Sequence, residues 1–253
     1  MALISVVIIC KNEVDNISAC LQSVQCISDD VVVYDNGSTD GTQDVAKRYN
    51  ARLVEGAWEG FGATKQKATA LAKYDWILNL DADEALDEAL MDELEKLSLS
   101  DAQVVYEMRF KNFLGNKYLR YGEWGGDKHI RLFNRQKVNW NDAPVHESLV
   151  LPLIVKKIKL NGFVLHRTVK NMADYAAKTV KYAMLNAEKY HQAGKKTSLV
   201  MIMVAPAFAF VKYYFLKLGF LDGYKGWLCA KMTAWYTWLK YSRLKELQHH
   251  QKE

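Results

Sequence analysis

"LISVVIIC", residues 3–10, is a run of β-branched and other apolar residues with one small polar side chain, Ser5. A strand buried on both faces reads this way, and such strands lie inside parallel sheets. The chain continues it with a regular beat. "KNEVDNISACLQSV" sets Ile17, Leu21 and Val24 at helical spacing. "DDVVVYDNGSTDGT" gives a strand at Val31–Tyr34 that ends in a polar, glycine-bearing loop. "QDVAKRYN" reads as a helix, "ARLVEG" as a strand, "GATKQKATALAKY" as a helix, and "DWILNLDADE" as a strand. Strands alternating with helices predict an α/β domain with a mostly parallel sheet. Ligands of such sheets collect at the carboxyl ends of the strands. Asp35 and Asp81 both fall there.

"WILNLDADEAL", residues 76–86, ends an apolar run on Asp81, Asp83 and Glu84. Three carboxylates in four residues repel one another unless a positive charge sits among them. In an extended segment, residues two apart point the same way. Asp81 and Asp83 are therefore expected to converge on one hard cation, Mg²⁺ or Mn²⁺, with positions left open for phosphate oxygens. The competing reading is an acidic N-cap for the helix in "EALMDELEKL", and Glu84 is available for it. The Asp35 loop has its own plain reading, a capped tight turn entering a helix. Neither G-x-x-x-x-G-K-[ST] nor a G-x-G-x-x-G after the first strand occurs. That excludes a P-loop enzyme and an ordinary dinucleotide binder.

Length and composition bound the rest. Half of the 253 residues are apolar, enough for one sizeable core or a core with an appendage. Three prolines argue against long disordered linkers. Cys10, Cys20, Cys26 and Cys229 show no C-x-x-C spacing; the first three sit in apolar or helical contexts and are expected as buried reduced thiols, which suits a reducing cytoplasm. "MALISVVIICKNE" lacks a basic leader and a cleavage site and is not expected to be a signal peptide. The formal net charge of +5 hides an asymmetry: between Lys156 and Lys217 the only acids are Asp174 and Glu188. Such a basic face suits nucleic acid, anionic lipid or a phosphorylated substrate, or is merely solvated.

Beyond residue 104 the pattern loosens. Val104–Leu119 mixes strand-like and loop-like residues, "HIRLFNR" reads as a strand, and "MADYAAKTVKYAMLNAEKYHQAG" as a helix closed by Gly194. Ser198–Leu221 is long and apolar but broken by Pro206, Lys212 and Lys217. The interruptions favour a segment lying at a membrane interface, with lysines reaching the headgroups, over one crossing it. "GWLCAKMTAWYTWLKYSRLKE" adds Trp and Tyr beside Lys231, Lys240, Arg243 and Lys245, a mix that a membrane–water interface selects. A helical pair packed on the main domain or a second subunit is the alternative.

"SVVIICKNE", "VVVYDNGSTDGT" and "WILNLDADE", in this order and spacing, resemble family 2 glycosyltransferases of the GT-A fold. "HIRLFNR", "PVHE", a later "LH" and "YYFLKLGFLDGYKGW" extend the resemblance to the bacterial subgroup that includes the lipopolysaccharide inner-core β-1,4-glucosyltransferase. The resemblance implies a Rossmann-like, mostly parallel sheet with flanking helices over residues 1–170. A C-terminal amphipathic, membrane-associating helical region would occupy 171–253. It implies a nucleotide-sugar donor, usually a UDP-sugar, and a divalent metal. Asn12 and Glu13 would border the nucleotide, Asp35 would contact uracil, and Lys67 would lie beside the nucleotide. Asp81 would touch ribose or the metal shell, Asp83 would bind the metal, and His166 would supply a metal or phosphate contact. Of Arg131 and Arg135, one is expected to face the site and hold the diphosphate or an acceptor phosphate.

The reaction implied is inverting: an acceptor hydroxyl attacks the anomeric carbon, UDP leaves, and a carboxylate takes the proton. Glu147, in "HE", is the first candidate for that base, although His146 stands where the commoner acidic pair begins. Asp127 is the second. The expected substrates are a UDP-sugar, with glucose the expected sugar, and a lipid-linked acceptor such as lipopolysaccharide core. The expected location is cytoplasmic, on the inner face of the bacterial plasma membrane, at an anionic surface and without nucleic acid. Two other functions stay open: a nucleotidyltransferase acting on sugar phosphates, and an inactive membrane-associated glycan-binding protein. The usual glycine-rich, basic loop of the former is absent, since "CKNE" follows the first strand.

Overall fold

The computed structural model describes residues 3–141 and 148–250. The chain forms two compact units. Unit 1 holds residues 1–111 and 127–167, and unit 2 holds 112–126 and 168–253.

Unit 1 is built outward from β1 (Ile4–Cys10), every residue of which is buried. Alternating side chains of β1 enter two different cores, as a strand requires. Ile4, Val6, Ile8 and Cys10 pack with Ile17, Cys20, Leu21 and Val24 of α1 (Ile17–Val24). Val7 and Ile9 pack on the opposite face with Ala68 of α3 (Phe61–Ala70). Neighbouring β2 (Asp30–Asp35) and β4 (Trp76–Asp81) run parallel to β1, and β3 (Arg52–Glu55) runs parallel to β2. The second helix, α2 (Thr42–Arg48), follows β2. This parallel half is the arrangement that the alternating sequence predicts.

The other half is assembled from more distant segments. After β4 come β5 (Glu84–Leu86), α4 (Glu88–Glu95), β6 (Val104–Leu114) and β7 (Lys117–Tyr118). β8 (Lys128–Asn134), β9 (Asn139–Trp140), β10 (Leu149–Val150) and β11 (Lys156–Val169) complete the strands. The sheet order is β3-β2-β1-β4-β8-β6-β11-β5, with β8 antiparallel to β4 and β6. Val104–Leu119, expected as a mixture of strand and loop, divides into β6 and β7 joined by a turn at residues 115–116. One expectation is corrected. Glu84–Leu86 is a strand rather than a helix entry, because it pairs antiparallel with Val164–His166.

Unit 2 is mainly helical: α5 (Met172–Gln192), α6 (Leu199–Val211) and α7 (Tyr224–His250). Asn171 caps α5 and Ser198 caps α6, each accepting a backbone N–H from three residues on. A π-helical turn, Lys212–Leu216, prolongs α6, and a 3₁₀ turn, Gly219–Asp222, leads into α7. Leu114, Leu119, Val169, Tyr175, Cys229 and Met232 form its small core. Leu199–Leu216 is the one helical stretch, among the described residues, long and apolar enough to cross a membrane.

Candidate active site

Two loops at the carboxyl ends of β1 and β2 are sewn together. Asn12 adopts a left-handed backbone, φ 56°, and its side-chain oxygen accepts the Thr39 N–H. Ser38 Oγ accepts the Asn12 N–H, and Thr42 Oγ1 accepts the Glu13 N–H. Glu13 also accepts from Asn16 through its carboxylate. Asp35 is buried beneath this seam. Its carboxylate accepts the N–H groups of Gly37 and Ser38, the Ser38 hydroxyl, the Gln43 amide and the Cys10 thiol. Burial opposes its charge, but these donors win and lower its pKa. Asp35 thus shapes the loop through its own backbone contacts. Burial also pushes the Cys10 and Cys20 thiols up, and both are free, buried cysteines.

The acidic triplet divides between two sets of partners. β4 ends at Asp81, and residues 82–83 form a turn, so Asp81 and Asp83 are not successive positions of one extended strand. Lys65 Nζ lies 3.1 Å from Asp81 Oδ1, and an Arg131 guanidinium nitrogen lies 3.0 Å from Oδ2. Arg131 also holds Glu84, whose other carboxylate oxygen accepts the Asp81 N–H. Asp83 Oδ2 stands 3.4 Å from His166 Nε2. The pairing of β5 with β11 sets His166 opposite Glu84 and so beside this turn. The helix cap is Asp87, which accepts the Leu90 N–H; Glu84 does not cap α4, because it is buried on Arg131.

The electrostatics follow from burial. Burial opposes charge on Asp81, yet Lys65 and Arg131 on either side hold its carboxyl well below the usual range. Burial pushes Glu84 up to about 6; Arg131 opposes the shift and the Asp81 charge adds to it. Burial lowers the His166 pKa, but the contact with Asp83 and the charges of Glu84 and Asp81 prevail and raise it to about 8.

A divalent cation can be tested against this geometry. No three His, Cys, Asp or Glu side chains cluster as a ready cage among the described residues. Two protein ligands suffice, however, when phosphates and water supply the rest. Neighbouring ligands of an octahedral Mg²⁺ lie about 3 Å apart. Asp83 and His166, facing each other at 3.4 Å, approach that spacing, and the Asp83 carboxylate is a ligand type for Mg²⁺ and Mn²⁺. The residues fit.

Arg131 is in the centre of the site, whereas Arg135 binds Asp75 and the carbonyls of Thr69 and Ala72. Lys67 lies at the surface on Glu59; the lysine of α3 that reaches Asp81 is Lys65, with only 2% of its side chain exposed. Asp127 pairs with His129 at 3.0 Å. The Phe110 ring meets His129 at 4.9 Å, His166 at 6.1 Å and Arg131 at 5.3 Å, and so walls both clusters. Glu147 lies outside the described residues. The sequence reading missed Lys65, although its spacing to Ala68 and Ala72 puts a lysine on the apolar face of α3. It also missed His129 and the role of Glu84 as the buried counter-ion of Arg131.

Residues 5–159 match Glycosyl transferase family 2. The uncharacterized glycosyltransferase RT0209 of Rickettsia typhi is 31% identical over 258 residues, covering 98% of this chain and 88% of its own. The lipopolysaccharide core biosynthesis glycosyltransferase LpsC of Rhizobium meliloti is 29% identical over 252 residues, covering 95% and 91%. Among solved structures, mannosyltransferase PcManGT from Pyrobaculum calidifontis, in complex with GDP-Man and Mn²⁺, superimposes with a TM-score of 0.56. It is 14% identical and covers 96% of this chain and 86% of its own, a likeness of fold alone.

Proposed function

The chain belongs to glycosyl transferase family 2, and from that premise we propose that it moves a sugar from a UDP-sugar to a lipid-linked glycan of the bacterial envelope, such as lipopolysaccharide core. The observation that carries the reading is the Asp81–Asp83 turn at the end of β4, where Asp83 faces His166 and Asp81 sits between two buried cations. The likeness to an enzyme of lipopolysaccharide core biosynthesis supports the acceptor class. Glucose is the proposed donor sugar, by resemblance to the inner-core subgroup.

Asp83 and His166 would hold Mg²⁺ or Mn²⁺, and Asp81 would stand in its outer shell or at the ribose. When bound, the ion supplies Lewis-acid stabilisation of the departing diphosphate. The chain itself does the rest. Asn12, Glu13 and the Asp35 loop border the nucleotide base and ribose. Arg131, its charge balanced by Glu84 and Asp81, holds the Asp81 carboxylate fixed next to where the diphosphate lies, so that the turn needs no reorganisation as charge develops. A carboxylate on the far side of the sugar accepts the proton of the attacking hydroxyl, so the anomeric centre inverts and an α-linked donor gives a β product. Glu147 is the first candidate for that base; Asp127, oriented by His129, is the second.

Domain 171–253 is proposed to dock the enzyme on the cytoplasmic leaflet. Leu199, Met203, Phe208 and Leu216 expose 71%, 74%, 60% and 70% of their surface, far more than a soluble helix normally leaves bare. Unit 2 carries sixteen Lys and Arg against six Asp and Glu, which complements anionic lipid.

The test is nucleoside diphosphate release from a panel of UDP-sugars and GDP-mannose, with Mn²⁺, with Mg²⁺ and with chelator. Metal-dependent UDP release that disappears in Asp83→Ala is the expected result. Unchanged release in that variant would sink the site assignment, and preference for GDP-mannose would sink the donor class. Replacing Glu147 and Asp127 separately by Gln and Asn identifies the base as the one whose loss stops transfer.

A further inference from the structure

Within unit 2, the loop 115–126 is bound to the turn that ends the apolar helix. Gly122 N–H donates to the Lys217 carbonyl at 2.9 Å. Asp222 is buried, and its Oδ2 accepts the N–H groups of both Arg120 and Tyr121 at 2.9 Å. Lys117 Nζ donates to the Asp222 carbonyl at 2.6 Å. Behind this turn α7 comes very close: a Cβ on Gly226 would lie 1.9 Å from the Gly219 carbonyl oxygen, so only glycine fits there. Leu218, between the π-helical and 3₁₀ turns, is held in a left-handed backbone with φ 57°. The tie between loop and turn is therefore built by specific hydrogen bonds and close backbone contact.

These segments line an open cavity of about 520 Å³ formed by Lys117, Tyr118, Arg120, Tyr121, Leu221 and Asp222. Its polarity is lopsided. The one acid, Asp222, is spent on backbone N–H groups, so its charge is turned into the fold. Lys117 and Arg120 are exposed, and the Arg120 guanidinium stands 5.9 Å from the Tyr118 ring. Leu221 forms the apolar side. Its chain neighbours Leu216, Leu218, Phe220 and Tyr224 are exposed as well, at 70%, 44%, 43% and 71%. A cationic cavity with two tyrosines, edged by bare apolar side chains, matches the chemistry of a lipid: a phosphate above, acyl chains beside it.

We propose that this cavity binds the phosphate headgroup of an anionic membrane lipid. The Arg120 guanidinium grips the phosphate through its planar fork, and Lys117 adds a point charge. Tyr118 and Tyr121 sit at headgroup level, while Leu216, Leu218, Phe220 and Leu221 enter the leaflet. The inference rests on the proposed membrane docking of unit 2 and deepens it: docking needs only general charge and apolar surface, whereas a headgroup site needs these particular side chains.

Arg120→Lys separates the two, because it keeps the charge and removes the fork. The full chain is floated with phosphatidylcholine vesicles and with vesicles that also carry phosphatidylglycerol. The expected result is preference for the anionic vesicles, reduced about fivefold by Arg120→Lys and about tenfold by Arg120→Gln, with an unchanged melting temperature. Met203→Glu combined with Phe208→Glu probes the apolar helix alone. If that double variant loses binding while Arg120→Lys binds like wild type, docking stands and the headgroup site is overturned. If wild type ignores both kinds of vesicle, both readings fall.

Discussion

The two units of this chain use charge in opposite ways. Unit 1 has eighteen Lys and Arg against twenty-three Asp and Glu, and it buries its most important charges. Lys65, Arg131 and Glu84 have almost no exposed side-chain surface and neutralise one another around Asp81. Unit 2 has sixteen cations against six acids, leaves most cations in solvent and exposes its apolar side chains beside them. A buried charge is fixed in place and costly to lose. An exposed one is cheap to lose for the fold and matters only to what approaches from outside. The difference is what the proposed function needs of each unit: fixed charges for small polar ligands in one, and a free basic and apolar surface for an extended partner in the other.

The comparison can be broken most sharply at Asp83. Asp83→Asn should lower sugar transfer by about 10²–10³-fold, measured as UDP release, with little change in melting temperature. Near-normal transfer would remove the site from this turn. Next comes the buried charge cluster. Lys65→Met leaves Asp81 with one cation, and urea unfolding should report a loss of about 2–3 kcal/mol, less than for a fully buried pair because Asp81 keeps 30% of its side chain exposed. A variant as stable as wild type would mean that Lys65 serves the ligand only.

On the other side, Met203→Glu should change stability by less than about 0.5 kcal/mol, since the residue is exposed, yet weaken vesicle flotation. Strong destabilisation by this change would mean that α6 packs against protein. The smallest effect concerns acid. Asp30 is buried and binds Ser5, Arg52 and the Lys73 N–H. Burial opposes its charge, but these donors lower its pKa. Because the folded pKa lies below the unfolded one of about 3.9, its contribution is present above that pH and lost as pH falls through the folded value. Asp30→Asn should therefore flatten the decline of stability below about pH 4. An acid limb identical to that of wild type would assign it to other carboxylates.

Much of unit 1 was legible because local rules decide it. A run buried on both faces, helices at 3.6 spacing and acids at strand ends specify β1, β2, β4 and their helices without reference to distant segments. Asp35, Asp81 and Asp83 stand out in the sequence for the same reason, whereas only the tertiary contacts separate Arg131, on Asp81, from Arg135, on Asp75. Glu84 was misread because its alternatives, capping α4 or neutralising Arg131, differ by a partner forty-seven residues away. Lys67 drew notice over Lys65 because the sequence does not mark which of two lysines one helical turn region buries; packing of α3 on the sheet decides that.

The sequence by itself determined the family, the alternating half of the sheet, the acids at the end of β4 and the apolar, basic character of the C-terminal third. Each of these follows from residue type and short-range spacing. The tertiary structure alone decided that His166 meets Asp83, that Lys65 and Arg131 bracket Asp81, and that residues 117–121 form a cavity with Leu221 and Asp222. Those contacts join segments from 16 to 105 residues apart. Closing such loops costs entropy that only the collective burial of the strands and helices between them repays, so no local pattern can announce them.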